Sequence, residues 1–97
     1  MISSKQRSFL RAMANKMQPI FQVGKNGIDD AFIKQVEDAL EARELIKIKV
    51  LNNSFFTARE ASDEICAEIE CEGVQAIGNK LVLYKRSKNK PKIELPR

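Results

Sequence analysis

The sequence predicts an α/β domain with the element order α-β-α-β-α-β-β, two layers built on a mixed four-stranded sheet. Three observations carry this reading. Apolar residues recur at helical spacing in three stretches, near residues 4–17, 29–44 and 58–69. Between the second and third of these, LIKIKVL (residues 45–51) alternates between apolar and polar positions from Ile46 to Val50, as a strand with one covered face does. Near the end, two β-rich runs flank Gly78 and Asn79, which signals a hairpin. At 97 residues the chain suits a single domain with one modest core and little room for a deep substrate cavity.

The elements follow in order. In the first helix Phe9, Leu10, Met13 and Met17 share one side, and Arg7 and Arg11 lie opposite, free for solvent or a ligand. Pro19 ends it, and Ile20, Phe21 and Val23 read as a short strand closed by Gly24. The second helix begins at Asp29 or Asp30, with Asp29 as N-cap and Ile28 placed to pack on Ile33. Its buried stripe is Phe32, Ile33, Val36, Ala39 and Leu40. In the next strand Ile46, Ile48 and Val50 face the core, leaving Lys47 and Lys49 on an open face. Thr57 and Glu60 form a capping box for the third helix, whose inner face is Ala58, Ala61, Ile65 and Ile69. Gly73 stands where a left-handed C-cap is expected. Two β-α-β crossovers should give parallel strands, and the hairpin an antiparallel one. The tail from residue 87 is polar and basic and is expected to be mobile, leaving 1–86 as the folded domain.

The junction FQVGKNGIDDAF (residues 21–32) is the most informative stretch. Gly24 and Gly27 bracket Lys25 and Asn26 between a strand and a helix start. Such a turn aims backbone N–H groups outward at the positive end of a helix dipole. Without Cβ atoms at its two glycines, a phosphate backbone can approach closely. Lys25 adds a mobile charge. The pattern is a G-x-x-G clamp in miniature; it is too short for a P-loop and lacks the third glycine of a dinucleotide fingerprint. Tight β-α turns also use glycine simply to turn, and the carboxylates of Asp29 and Asp30 repel phosphate. The candidate nucleic-acid contacts are therefore Gly24, Lys25, Asn26 and Gly27, with Lys5, Arg7, Arg11, Lys47, Lys49, Lys85 and Arg86 as supporting cations.

Charge is partitioned along the chain. The net +4 divides into +5 over residues 1–28, −7 over 29–72 and +6 over 73–97. If the two basic ends meet in space, one side attracts phosphate and the other basic partners. There is no histidine, so the commonest general base is missing and neither cysteine has a histidine to activate it. Neither catalysis nor a cofactor is expected. Cys66 and Cys71, five apart in a predicted helix, would stand about 140° apart around its axis and not meet. They read as packing thiols of a cytoplasmic protein, consistent with the lack of an apolar run of membrane-spanning length.

Together QVGKNGID, the preceding RSFLRAMANKMQPIF, then ELIKIKV and the closing AIGNKLVLYKR resemble the CRM domain, the chloroplast RNA splicing and ribosome maturation domain, in its stand-alone bacterial form. The resemblance spans roughly residues 2–86. It implies a fold like the C-terminal domain of translation initiation factor three and RNA binding through the G-x-x-G loop. It also implies association with precursors of the large ribosomal subunit, as an assembly factor. Where the family often ends its last strand with Leu-Tyr-Arg, this chain has Leu83-Tyr84-Lys85-Arg86. Ribosomal RNA is thus the expected partner. A second possibility is an adaptor that holds a basic ribosomal protein through the acidic second and third helices, which charge reversal at Glu37, Asp38 and Glu41 would disrupt.

Overall fold

The structure is a computed structural model that describes residues 2–97. Its elements are α1 (Ser4–Ala14), β1 (Phe21–Val23), α2 (Asp30–Arg43), β2 (Leu45–Val50), α3 (Ala58–Glu68), β3 (Glu72–Ile77) and β4 (Lys80–Tyr84), in the expected order. The sheet runs β1-β2-β4-β3. β1 and β2 are parallel, while β4 lies antiparallel between β2 and β3, so the sheet is mixed.

Local chemistry sets the helix starts. Ser3 and Gln6 form a capping box on α1, Asp29 accepts from the Phe32 N–H at 2.8 Å on α2, and Thr57 and Glu60 form the expected box on α3. The main core lies between the sheet and α2 and α3. Ile46, Ile48, Leu81 and Leu83 meet Val36, Leu40, Ala61 and Ile65 there. Phe21 and Phe32 add an edge-to-face pair with centroids 5.9 Å apart.

The other sheet face is not wholly open. Leu10 and Ala14 of α1 pack on Leu45, Val74, Val82 and Tyr84, joined by Ile93 and Leu95. Two layers hold only at the end carrying Lys49 and Lys80; at the opposite end a third layer covers the sheet, and Lys47, half-buried and paired with the covered Val82, stands at its border. The reason is visible in β2 itself, where Leu45 opens the polar-face register with an apolar side chain that needs cover. The buried side of α1 is narrower than its apolar spacing predicts. Only Leu10 and Ala14 are buried, and Phe9 and Met13 remain 39% exposed.

Two helix ends differ from expectation. α3 stops at Glu68, and Ile69 turns extended to reach the core. Gly73 therefore lies inside β3 instead of capping. A Cβ there would sit 2.9 Å from Ser62 Oγ, so close packing and not a left-handed turn requires the glycine. At the end of α2 it is Glu44 that takes positive φ, at 67°. Because Cys71 lies beyond the helix, the 140° separation does not apply, and the two cysteine sulfurs are 3.4 Å apart. The hydrogen bond from Cys71 draws the Cys66 thiol down to about 7; the same bond, with burial, pushes Cys71 up.

The tail is tied down, contrary to its polar composition. The buried Glu44 carboxylate accepts the N–H groups of Ser87 at 2.7 Å, Lys92 at 2.6 Å and Ile93 at 2.8 Å. Glu41 accepts from the Lys88 N–H at 2.9 Å and from the Ser87 hydroxyl. Gln6 of α1 donates to the Pro96 carbonyl at 2.9 Å. Among the described residues no helix is long and apolar enough to cross a membrane.

Candidate nucleic-acid interface

The Gly24–Gly27 turn leaves the sheet at the end of β1 and delivers the chain to α2. It closes with the Gly27 N–H on the Gly24 carbonyl at 3.0 Å, and Gly27 has φ +72°, which favours glycine. Its central residues, Lys25 and Asn26, are exposed. Asp29, which the sequence alone sets against phosphate binding, is engaged as the α2 cap, so its charge is turned onto the helix N–H groups.

Two other loops meet this turn. A Cβ on Gly24 would stand 3.7 Å from Leu51 Cδ1 and 3.9 Å from Asn53 Oδ1, and one on Gly27 would stand 3.5 Å from Phe56 Cε2. The β2–α3 loop thus lies directly against the glycine turn. The hairpin tip reaches the same end, because the Val50 N–H donates to the Asn79 carbonyl at 2.7 Å.

The sheet register decides which cations join them. Gln22 pairs with Lys49, Lys49 with Lys80, and Lys80 with Ile77. Directly paired residues point to the same side, so one row of side chains crosses all four strands on the face away from α2 and α3. Lys47 stands on the same face, two residues from Lys49. Two lysines directly opposite each other repel. Among the described residues the ion pairs are Lys34–Asp38 and Arg59–Asp63, so no acid neutralises Lys47, Lys49 or Lys80. Such a face is suited to an external polyanion.

The remaining sequence-derived candidates are dispersed. Arg7 donates to the Gly73 carbonyl and, at 3.4 Å, to that of Val74, which places it on β3 across the sheet from the turn. Arg11, one helical turn on, bonds only to Ser8 Oγ at 3.0 Å and stays exposed. Lys5 is exposed on α1. Lys85 and Arg86 follow Tyr84, which pairs with Leu45 at the sheet end opposite the turn. Tyr84 itself is 5% exposed and packs in the α1 cluster, so it offers no stacking surface. Glu41 of the acidic α2 is occupied by the tail. Sequence reasoning overlooked Lys80 and the β2–α3 loop. Their relation to Gly24 and Lys49 depends on the insertion of β4, which local spacing does not reveal. Among the described residues no acidic or thiol cluster could hold a metal ion.

Comparison with known proteins agrees with the fold. The chain is 48% identical over 96 residues to "Probable RNA-binding protein YqeI" of Bacillus subtilis, covering 99% of this chain and 100% of the relative. It is 38% identical to an "RNA-binding protein" of Haemophilus influenzae, covering 99% and 96% of the two chains. The solution structure of the Staphylococcus aureus protein SAV1595 superposes with a TM-score of 0.81 at 45% identity, covering 99% of this chain and 100% of that one. Residues 2–85 match the CRS1 / YhbY (CRM) domain, and the chain belongs to that family.

Proposed function

We propose that the protein is an RNA-binding module that grips phosphate backbone at the Gly24–Gly27 turn and along Lys47, Lys49 and Lys80, and that it acts in assembly of the large ribosomal subunit. The observation that carries the reading is the turn itself: two positions without side chains, an exposed lysine between them, and a lysine row beside them with no acid of its own. RNA as ligand is supported by the names of the relatives, which describe RNA-binding proteins. The ribosomal role is supported by the resemblance to stand-alone bacterial CRM proteins. Contacts of this kind position a backbone and read little sequence, so affinity should be strongly salt-dependent with modest sequence preference.

The test is the double variant Lys25→Asp with Asn26→Asp. Both residues are exposed, so the fold should persist by circular dichroism. RNA affinity should fall, and the slope of log K against log salt should flatten by about one unit per lost phosphate contact. Unchanged binding by the folded variant would refute the clamp. In cells, crosslinked RNA should map mainly to large-subunit ribosomal RNA; reads spread over messages would refute the assembly role.

A further inference from the structure

Phe55 is 90% exposed, by far the most exposed of the large apolar side chains. Its neighbour Phe56 turns inward against the core and touches Gly27. Leaving a phenylalanine in water forgoes a stabilisation that burial would supply, and the loop is not merely loose there. The Ser54 N–H bonds the Leu51 carbonyl at 3.0 Å and Ser54 Oγ accepts the Phe56 N–H at 3.1 Å, so a built turn holds Phe55 outward. That turn is the one lying against Gly24 through Asn53. The exposed ring is therefore carried by a segment whose residues on either side, Asn53 and Phe56, lie against the glycine turn.

We infer that Phe55 is a base-stacking platform, and that the preferred ligand is RNA with an unpaired nucleotide next to the gripped phosphate, as in a hairpin loop or a bulge. The inference rests on the clamp proposed above. A phosphate on the turn fixes the backbone within reach of the ring, but a base can lie on that ring only if it has left its own stack. In a paired A-form helix the base faces are occupied, whereas unpaired bases can splay onto aromatic side chains. Stacking of this kind tolerates any base, because each presents a π face. The module would then select RNA by the presence of an unpaired nucleotide more than by its identity.

The experiment uses the full chain with two probes. One is an RNA hairpin carrying 2-aminopurine in its loop, and the other is a fully paired duplex of the same length. The wild-type protein should bind the hairpin more tightly and quench the fluorophore. Phe55→Ala should weaken hairpin binding about tenfold, abolish the quenching and leave duplex affinity and the salt slope unchanged. Phe55→Tyr should retain binding, and Phe55→Leu should resemble Phe55→Ala. The Lys25→Asp, Asn26→Asp variant should lose affinity for both probes. Hairpin affinity and quenching that survive Phe55→Ala, or full binding by Phe55→Leu, would overturn the stacking role even if the clamp variant behaves as expected. Loss of hairpin binding in Phe55→Ala together with normal binding by the clamp variant would overturn the clamp instead. Equal wild-type affinity for hairpin and duplex would overturn the preference for unpaired nucleotides.

Discussion

Arg7 and Arg11 stand one turn apart on α1, yet their surroundings differ. The register of β3 against β4 shifts between Gly73 and Gln75, a bulge that interrupts the ladder there. The Arg7 guanidinium donates to the Gly73 and Val74 carbonyls at that irregularity. Arg11 reaches only Ser8. Arg7→Ala should therefore lower the melting temperature by about 5 °C, the equivalent of roughly 1 kcal/mol in a domain of this size. Arg11→Ala should leave it within about 1 °C and weaken RNA binding instead. Thermal melts and a binding titration on both variants separate the two roles, and a melting temperature unmoved by Arg7→Ala would contradict the first. Helical spacing set both arginines opposite the buried side, free for solvent or a ligand; this holds for Arg11, but Arg7 is half-buried and turned onto the sheet. It could not separate them, because the carbonyls that Arg7 satisfies come from a strand more than sixty residues away. Phe55 and Phe56 pose the same limit, since adjacent identical residues carry no signal of which one the loop turns outward.

At the scale of elements, helix starts were the most legible feature. Asp29 and the Thr57–Glu60 pair act where their chemistry predicts, because capping is decided within four residues. The tail was the least legible. Its basic, polar composition suggests mobility, but its donors end on Glu41 and Glu44, more than forty residues earlier. Burial pushes the Glu44 carboxyl up, but the N–H bonds from Ser87, Lys92 and Ile93 outweigh it and leave the group below its ordinary value of 4.5. Glu41 is lowered too, chiefly by the Lys88 N–H and then by the Ser87 hydroxyl. A carboxylate lowered by folding contributes stability that is complete above its unfolded value and is lost as pH falls through the folded one. The tail should hold at pH 6 and begin to loosen only once pH has fallen below 4.5. Hydrogen exchange at the Lys92 and Ile93 amides should accelerate there while the α2 amides stay protected. Glu44→Ala should cost about 1–3 kcal/mol, since it leaves those N–H groups without an acceptor, and should free the tail at neutral pH. A tail equally protected at pH 3, or in Glu44→Ala, would show that these carboxylates do not hold it.

For the whole molecule, the order of elements and the partition of charge were readable, but the order of strands was not. Strand order is set by which edges meet in space, and it determines the candidate site. Only because β4 enters between β2 and β3 does Lys80 come to face Lys49. Basic residues from the chain's two ends gather around the turn only in part: Lys25 lies in it and Lys80 in the row beside it, but Arg7 is held on β3. Lys85 and Arg86 finish at the opposite end of the sheet, and a middle segment supplies Lys47 and Lys49. The facing lysines should make the unliganded fold less stable than it could be. Lys80→Gln is expected to raise the melting temperature by a few degrees, from a relief of about 0.2–1 kcal/mol, while weakening RNA binding. Added RNA should raise the melting temperature of the wild type more than that of the variant. A variant that melts lower while binding equally well would contradict this. The same strand insertion governs how the chain matures during synthesis. Until β4 has been made and has emerged, β2 and β3 have no partner in common and the sheet exists as separate pieces. The core therefore cannot close until β4 has emerged, so the elements made before it settle together with it and not one after another.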